Sequence, residues 1–455
     1  MSILNLLSKI NLVKRTENLT SAGIEQINRL KLKSLLKHVL TNSPFYKKYY
    51  GQHGITINNY YKASLKDLPA IDKKLMMENF DDFVCDTALK QQKLEEFIAD
   101  PPNLGKKYLG RYQVIHTSGS TGRVGIFVYG RNDWDILRAL ALTRVSKTKI
   151  NPFKKTKIVF IGATDGMYAG VSLTGDVPKL IYDVLPLSIN SPLEEITAKV
   201  NAFQPDIISG YATGSYLLAQ EQKKGNINLK PKRIICSAEP LTNKMRTTII
   251  EAFGIKPVNF YGASESICMG AQCELHQGIH LFNDWHIFEL VDENLNPVEA
   301  GQSGKLIMTN LYNYTQPLIR YKMNDELVFD DKACLCKSPF PVIKNVAGRQ
   351  EDFLWFERND GSKDYIHPIS LVEFFVPGVE RFQVIQTANN RMLLKAITSQ
   401  EAGKVIPAIR NRMNEILIPK KLDESISLDI ELVDELKVDS KNGKFKLIIS
   451  QQDHI

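Results

Sequence analysis

The residues DIISGYATGSYLLAQEQKKGNINLKPKRIICSAEPLTNKMRTTIIEAFGIKPVNFYG (206–262) decide the fold class. Short apolar runs at 206–210, 233–237 and 257–262 alternate with stretches of helical periodicity. This alternation predicts a parallel sheet with helices on both faces. Because ligands bind such sheets at the carboxyl ends of the strands, the residues that follow these runs indicate a candidate site: Gly210, Ser237 and Gly262.

The pattern extends on both sides of this stretch. KIVFIG (157–162) predicts another strand and SPLEEITAKVNAF (191–203) another helix. From about 280 to 330 the pattern changes to short runs such as HIFELVD (286–292) and GKLIMTNL (304–311), which are more typical of antiparallel strands. We therefore predict an α/β protein in which parallel sheets flanked by helices are followed by a small strand-rich subdomain.

The length of 455 residues is too great for one ordinary core. We predict a large N-terminal domain at 1–350 and a small α+β domain at 351–455. At the start of the chain, MSILNLLSKINLVKR (1–15) predicts an amphipathic helix. It is not a secretory signal, because its charge follows its apolar run, which is the wrong order for such a signal. Helical spacing continues over 20–50 until NSPF (42–45) predicts a stop.

The composition excludes several classes of protein. Hydrophobic residues make up 43% of the chain and charged residues 24%, as in soluble globular proteins. The net charge of +8 is spread along the chain, which favours small anionic ligands over nucleic acid as partners. No apolar stretch approaches the roughly 20 residues that cross a membrane. We expect a cytoplasmic protein without a membrane span.

The segment HTSGSTGRVG (116–125) is rich in glycine and hydroxyl side chains. Glycine permits unusual backbone conformations, and loop N–H groups without bulky side chains in front of them can close around an anion. A phosphate-binding loop is one interpretation, and a flexible surface loop is the other. The segment alone favours the flexible loop.

The cysteines are too few for a disulfide scaffold, but four possible metal ligands stand out. CELHQGIH (273–280) and CLC (334–336) supply Cys273, His280, Cys334 and Cys336, with His276 as the alternative fourth ligand. A C-x-C pair with a distant Cys and a His fits a closed tetrahedral Zn²⁺ site. The other interpretation is ordinary buried thiols and a surface histidine.

Six segments together resemble the adenylate-forming superfamily, and within it the phenylacetate–CoA ligase and coenzyme F390 synthetase-like branch. Each is weak evidence alone, but six in the family's order are specific. They are HTSGSTG (116–122), SAEPLT (237–242), YGASE (261–265), PLIRYKMND (317–325), GRQED (348–352) and NGKFK (442–446). The resemblance implies that HTSGSTG is a phosphate loop for ATP. Since the branch often carries a similar Cys/His set, it also favours a structural Zn²⁺.

The resemblance implies an ATP-dependent carboxylate ligase. A small carboxylic acid attacks the α-phosphate of ATP, pyrophosphate leaves, and a thiol captures the acyl- or aryl-adenylate. The implied cofactors are ATP, Mg²⁺ and coenzyme A. Transfer to a carrier protein or an amine is an alternative, and a nucleotide-binding module without turnover is another.

The resemblance also implies roles for single residues. Glu265 would bind Mg²⁺, Asp325 would accept both ribose hydroxyls, and Lys444 would bridge the acid and the α-phosphate. Glu351 would be the hinge of a mobile C-terminal lid. Residues 238–240 would line the adenine slot and Tyr261 would stack on the base. The nucleotide-binding set is Thr117, Ser118, Gly119, Ser120, Thr121, Gly122, Ala238, Glu239, Pro240, Tyr261, Gly262, Ala263, Ser264, Asp325 and Arg349.

The expected acid is a planar aryl or short apolar one, because the candidate pocket positions mix small and aromatic side chains: Ala163, Tyr168, Tyr211, Ala238 and Phe260. The sequence departs from the family's pattern in three segments. Arg123-Val124 follows the phosphate loop in place of Lys-Pro, Glu351 stands where the family has Asp, and 322–324 reads Lys-Met-Asn. None of these removes a group that the chemistry needs, but together they suggest a divergent substrate or acceptor.

Overall fold

The computed structural model describes residues 3–117, 124–147, 154–275, 278–299, 301–347, 354–367, 370–371, 374, 376–436 and 447–450. The chain divides into two compact units. The larger unit consists of Met1–His116, Gly125–Pro186 and Phe203–Gly348, and the smaller one of Thr117–Val124, Leu187–Ala202 and Arg349–Ile455. The smaller unit therefore includes two internal segments that a division at residue 350 assigns to the first domain.

The helices up to residue 253 are α1 (Ile3–Thr16), α2 (Ser21–Asn42), α3 (Pro44–Gly51), α4 (Lys73–Glu78), α5 (Phe80–Phe83), α6 (Gln91–Ala99), α7 (Arg131–Leu140), α8 (Ala169–Gly175), α9 (Leu193–Phe203), α10 (Ala212–Lys224) and α11 (Asn243–Phe253). A π-helical segment, Ala141–Ser146, continues α7. None of the helices in the described part of the chain has an apolar run long enough to cross a membrane.

The strands up to residue 347 are β1 (Gln113–His116), β2 (Ile126–Tyr129), β3 (Thr156–Gly162), β4 (Tyr182–Ser188), β5 (Ile207–Tyr211), β6 (Arg233–Ser237), β7 (Val258–Ala263), β8 (Ser266–Gln272), β9 (Ile279–Leu281), β10 (His286–Val291), β11 (Ser303–Asn310), β12 (Tyr321–Phe329) and β13 (Val342–Ala347). Strands β1 and β2 form a separate antiparallel pair. The others form one 11-stranded sheet in the order β10-β11-β12-β13-β9-β8-β7-β6-β5-β3-β4.

The large sheet changes direction at β7. Strands β3, β5, β6 and β7 pair in parallel, while β8 pairs antiparallel with β7 and the strands beyond it continue antiparallel. In β3 the run from Ile158 to Ile161 is buried, as expected for a strand covered on both faces. The strand-rich segment predicted at 280–330 is thus a continuation of the same sheet.

The segment NSPF, which is predicted to end a helix, also begins the next helix. Helix α2 ends at Asn42, and Ser43 caps α3 by accepting a hydrogen bond from the Tyr46 amide at 3.3 Å. Pro44 is the first residue of α3, a position where its missing N–H costs nothing. A proline that ends one helix can therefore begin the next.

The C-terminal part of the smaller unit contains β14 (Leu354–Glu357), β15 (Lys363–Ile366), β16 (Val379–Ala388), β17 (Arg391–Thr398), α12 (Ala402–Leu417), β18 (Ser427–Leu432) and β19 (Ile448–Ser450). Strands β14 and β15 form a hairpin, and the other four form a sheet in the order β18-β17-β16-β19. Buried side chains of α12 pack into the core of this unit. Strand β19 pairs in parallel with β16 at the edge of this sheet.

A buried ionic cluster ties the segment 187–202 into the smaller unit. Lys420 and Asp364 are fully buried, with Nζ 3.4 Å from Oδ1. The Lys420 ammonium also donates to the Ser191 carbonyl at 3.2 Å, and Arg358 donates to Asp364 at 2.6 Å. Since each charge has an opposite partner, the cost of burying them is offset.

Candidate active site and metal cluster

The carboxyl ends of three parallel strands lie side by side in register. Tyr211 at the end of β5 pairs with Ser237 of β6, which pairs with Phe260 of β7. Paired residues of neighbouring strands point to the same face of a sheet. The structure therefore brings two predicted pocket positions, Tyr211 and Phe260, onto one face with Ser237 between them.

The turn 237–240 that follows β6 is tied to the start of α10. The Ser237 hydroxyl donates to the Gly210 carbonyl at 3.1 Å. The Glu239 carboxylate accepts from the amide and the hydroxyl of Thr213, at 3.1 and 2.5 Å. Ala238 has φ 65°, in the left-handed region, and is exposed, as is Pro240. The backbone at Ala238 and Pro240 is thus open to a ligand.

The hairpin between β7 and β8 carries the segment YGASE. Ala263 pairs with Ser266, so Ser264 and Glu265 form its two-residue turn. The Tyr129 hydroxyl donates to the carbonyls of Ser264 and Glu265, at 3.1 and 3.2 Å. These bonds hold the turn against β2 and fix where the Glu265 side chain begins.

A buried network supports this hairpin from behind. The Ser266 hydroxyl hydrogen-bonds to Nε2 of His286 at 2.8 Å and accepts from the Asn310 amide at 3.1 Å. Burial lowers the pKa of His286 to about 4, so the imidazole is neutral at physiological pH. Residue spacing carries no signal for this network, because its members lie on β8, β10 and β11.

Tyr261 and Asp325 meet although they are distant in sequence. The Tyr261 hydroxyl donates to Oδ2 of Asp325 at 2.7 Å. Burial, followed by the Asp325 carboxylate, raises the pKa of Tyr261 well above its ordinary value, so the phenol is a donor at any physiological pH. Tyr261 is only 7% exposed. The interaction visible in the structure is therefore the hydrogen bond that orients Asp325.

Glu265 lies close to charges of both signs. Burial raises the pKa of its carboxyl, the Lys73 ammonium opposes this shift, and the Asp325 carboxylate adds to it. Lys73, at the start of α4, was not singled out from the sequence. A Cβ added at Gly125 would lie 2.7 Å from Cε of Lys73, so this lysine packs against the backbone just after the HTSGSTG segment. A Lys-Lys pair at a helix start gives no sequence signal for such a position.

The remaining pocket candidates lie near β3. Ala163 is buried, and Tyr168 packs on His116 with ring centroids 4.6 Å apart. His116, another residue that the sequence analysis did not propose for the pocket, accepts from the Met167 amide through Nε2 at 3.1 Å. Within the described residues, Tyr168 and His116 thus form an aromatic pair close to the end of β1.

Several predicted site residues lie outside the described residues. They are Ser118, Gly119, Ser120, Thr121, Gly122, His276, Arg349, Glu351 and Lys444. Thr117 is described and belongs to the smaller unit. The roles expected for these residues remain predictions.

The four predicted metal ligands come together. The ligand atoms of Cys273, His280, Cys334 and Cys336 all lie within 4.8 Å of one another. Cys273 follows β8, His280 lies in β9, and the C-x-C pair lies in the loop between β12 and β13. The pairing of Ala271 with His280 turns this histidine, rather than its neighbours, towards the cysteines.

The distances in this cluster fit a tetrahedral zinc site. Sγ of Cys273 is 3.7 Å from Sγ of Cys334, and Sγ of Cys336 is 3.4 Å from Nε2 of His280. Zn–S and Zn–N bonds of about 2.3 and 2.0 Å separate tetrahedral ligand atoms by about 3.5–3.8 Å. Nδ1 of His280 lies 3.3 Å from the Phe340 carbonyl, a contact that orients the ring as second-sphere partners of metal ligands do.

Comparison with known proteins identifies the sequence relatives. No model of a known protein family matches the chain. A phenylacetate-coenzyme A ligase of Thermus thermophilus is 26% identical over 346 residues, covering 74% of this chain and 73% of the relative. The Escherichia coli phenylacetate-coenzyme A ligase is 25% identical over 328 residues, with 68% and 69% covered. The resemblance to phenylacetate–CoA ligases is confirmed.

A further relative covers more of the chain. Protein CapK of Staphylococcus aureus is 24% identical over 400 residues, which is 83% of this chain and 79% of the relative. Its name states no activity. The chain is therefore also similar to a protein whose name specifies neither a reaction nor an acceptor.

Solved structures confirm the fold class. A 2-hydroxyisobutyryl-CoA ligase in complex with 2-HIB-AMP and CoA, in the thioesterification state, matches with a TM-score of 0.62 at 20% identity, covering 95% of this chain and 91% of that chain. The open conformation of the same ligase matches with a TM-score of 0.58 at 18% identity, covering 96% and 93%. The α/β fold predicted from the sequence is the fold of this 2-hydroxyisobutyryl-CoA ligase.

Proposed function

We propose that this chain is an ATP-dependent carboxylate ligase, which forms an acyl- or aryl-adenylate with release of pyrophosphate and transfers the acyl group to coenzyme A. The observation that carries the proposal is the hydrogen bond of 2.7 Å between Tyr261 and Asp325. The Asp325 carboxylate also lies close enough to Glu265 to raise the pKa of its carboxyl. Asp325 would be the ribose acceptor and Glu265 the cation ligand, in the same large sheet whose strand β6 leads into the turn at 238–240. The similarity to phenylacetate–CoA ligases gives independent support.

The nucleotide would be held by groups of complementary chemistry. Asp325 would accept both ribose hydroxyls, and the turn at 238–240 would line the adenine. Glu265 would bind Mg²⁺, since this hard cation prefers oxygen ligands and, when bound, neutralises charge on the phosphates. Thr117 and residues 118–122 would bind the β- and γ-phosphates through hydroxyls and backbone N–H groups. Lys73, whose Cε lies near Gly125, would add a positive charge to the site.

The chemical step requires stabilisation of spreading negative charge. An oxygen of the carboxylate bonds to the α-phosphorus, and the bond from that phosphorus to the bridging oxygen breaks to release pyrophosphate. Lys444 would stand between the carboxylate and the α-phosphate, and Arg349 would reach the nucleotide. The thiol of coenzyme A then attacks the acyl carbon and AMP leaves. We propose that residues 351–455 act as a mobile lid with Glu351 as the hinge, so that each half-reaction has its own arrangement.

The acid pocket would be lined by Ala163, Tyr168, Tyr211 and Phe260. An aromatic wall of this kind favours a planar aryl or a short apolar acid over a polar one. We further propose a structural Zn²⁺ held by Cys273, His280, Cys334 and Cys336, with the protein acting in the cytoplasm. This ion would join β8 and β9 to the loop before β13.

A pyrophosphate-release assay over aryl, short and long apolar acids and amino acids tests the proposed activity. We expect acid-dependent release for an aryl or short apolar acid, and thioester formation on addition of coenzyme A. Release without a thioester would favour a carrier protein or an amine as the acceptor. Nucleotide binding without release with any acid would contradict the proposal and favour a module without turnover.

Lys444 offers the sharpest test of the mechanism. Lys444→Ala should slow adenylate formation by about two to three orders of magnitude, by analogy with the loss of one oxyanion donor. Conversion of a synthetic acyl-adenylate to the thioester should persist, and Lys441→Ala and Lys446→Ala should have far smaller effects. Equal loss of both half-reactions would remove Lys444 from the adenylation step.

A further inference from the structure

The turn after β6 has a backbone conformation that its sequence does not favour. Ala238 has φ 65°, a left-handed conformation that residues with a Cβ rarely adopt outside special sites. Such a conformation persists only where the surrounding contacts hold it in place. The two neighbouring side chains, Ser237 and Glu239, make contacts that can hold Ala238 in this conformation.

Glu239 supplies the stronger of these contacts. Both donors of Thr213, the backbone N–H and the hydroxyl, reach the same carboxylate oxygen, Oε2, at 3.1 and 2.5 Å. Thr213 is 1% exposed and lies in the first turn of α10, which begins at Ala212. N–H groups in a first turn lack partners within the helix, and the helix dipole favours a negative charge there. The carboxylate thus stabilises the start of α10 from a distant part of the sequence.

The direction of this contact bears on the role of Glu239. Oε2 of Glu239 faces a buried residue of α10, whereas Ala238 and Pro240 on either side of Glu239 are exposed. The turn therefore presents its backbone and its small side chains outwards, while the acidic side chain anchors it. Ser237 adds a second anchor through the bond of 3.1 Å to the Gly210 carbonyl.

We propose that Glu239 is a positioning residue, which holds the 237–240 turn on the start of α10 so that Ala238 stays left-handed and the turn receives the adenine of ATP. This inference rests on the proposed function, since it takes residues 238–240 as the adenine-binding turn. It assigns Glu239 no contact of its own with the nucleotide. Because Thr213 is the group through which Glu239 acts, the two residues form one unit.

Dissociation constants for ATP, measured by calorimetry on the full chain, test this unit. Glu239→Ala should weaken ATP binding by about ten- to hundredfold, the effect of losing a charge-assisted hydrogen bond. Thr213→Val should weaken it less, by about three- to tenfold, because the amide donor remains. Thr213→Ser should retain the wild-type value. The double variant Glu239→Ala/Thr213→Val should bind ATP no more weakly than Glu239→Ala alone.

Relief of the backbone strain gives a second readout. Glycine adopts positive φ freely, so Ala238→Gly in the Glu239→Ala background should recover at least part of the lost ATP affinity. Two results would overturn the proposal. Additive losses from Glu239→Ala and Thr213→Val, with no recovery by Ala238→Gly, would mean that Glu239 contacts the nucleotide itself. A lower melting temperature with unchanged ATP affinity would mean a purely structural role.

The wild-type protein separates this inference from the activity on which it rests. If the wild type fails to bind ATP, the proposed function fails. If the wild type binds ATP and Glu239→Ala binds it equally well, only the role of Glu239 fails. The Glu239→Gln variant, which keeps an acceptor and loses the charge, should lie between the wild type and Glu239→Ala.

Discussion

The parallel and antiparallel parts of the large sheet bring their functional groups together in different ways. At the ends of β5, β6 and β7 the groups follow directly from each strand, so that short stretches such as SAEPLT and YGASE contain them. In the antiparallel part, the Cys–His cluster draws its members from β9, from the residue after β8 and from the loop before β13. Local turns should therefore control ligand binding, whereas the nonlocal cluster should control how the strands hold together.

The hydrogen bond between Tyr261 and Asp325 joins β7 of the parallel part to β12 of the antiparallel part. Removing the Asp325 carboxylate should have the largest effect on the use of ATP. Asp325→Ala removes the carboxylate that we expect to accept two ribose hydroxyls. With about 1.5–3 kcal/mol for each charge-assisted bond, kcat/KM for ATP should fall by about 10²- to 10⁴-fold. Steady-state kinetics with varied ATP measure this loss.

Tyr261→Phe is the matched control for this prediction. It removes only the hydroxyl that donates to Asp325, so a loss of about three- to tenfold is expected. Nearly unchanged ATP kinetics in Asp325→Ala would show that the ribose lies elsewhere. Strand β12 would then contribute nothing to ribose binding.

Loss of one ligand of the Cys–His cluster should separate stability from nucleotide binding. In Cys336→Ser the zinc content should fall from about one ion per chain towards zero, and the melting temperature should drop, because a closed Zn²⁺ site contributes folding free energy. ATP affinity should change little. Metal analysis and thermal unfolding are the measurements.

Cys85 lies outside the cluster and supplies the control. Cys85→Ser should leave the zinc content unchanged. If Cys336→Ser does not fold, titration of the wild type with a chelator gives the same comparison. A wild-type protein that stays well below one zinc per chain after supplementation would contradict the assignment, and the cluster would then consist of ordinary thiols.

The difference between the parallel and antiparallel parts of the large sheet also explains which elements the sequence could predict. The strands β3, β5, β6 and β7 are predictable because each is a short apolar run followed by a small residue. The sequence does not predict helix α7, because all its residues from Asp133 to Leu140 are buried, charged ones included, so that apolar residue type does not mark its buried positions. Asp133 accepts hydrogen bonds from the Gly130 amide and the Thr315 hydroxyl. A helical pattern is hidden when distant partners satisfy its buried charges.

Nonlocal pairing accounts for the rest of what the sequence left open. The residue types at 273–280 and 334–336 predict a metal cluster, but the position of His280 beside the cysteines follows from the strand register. Lys73 had no signal at all, because its position depends on how α4 packs near Gly125 and Glu265. Residue type and spacing thus predict which kinds of site are present. The fold determines which side chains come together in each site.

The junction of the two parts can be tested at Gly262. A Cβ at this position would lie 1.9 Å from the Ile267 carbonyl oxygen, so Gly262→Ala must displace the β7–β8 hairpin. We expect a loss of about 1–3 kcal/mol in the free energy of unfolding, measured with urea. Gly175→Ala, at a helix end where nothing lies within 4 Å of the added Cβ, should be neutral or stabilising. A loss in Gly175→Ala as large as that in Gly262→Ala would refute this account.

The smallest effect is expected for Glu265→Gln. In contrast to Gly262→Ala, it should increase the stability of the protein. Burial raises the pKa of this carboxyl, so the folded state binds its proton more tightly than the unfolded state does. The stability from this group is complete below the unfolded pKa and is lost as the pH rises through the folded one. Glu265→Gln should therefore gain stability over the wild type as the pH rises from acidic to neutral, in buffer without Mg²⁺ or ATP. Addition of Mg²⁺ and ATP should reverse the order, because only the carboxylate binds the cation. Unfolding curves at several pH values that run parallel for both proteins would show that burial does not raise the pKa of Glu265. An order that stays unchanged on addition of Mg²⁺ and ATP would show that the Glu265 carboxylate does not bind the cation.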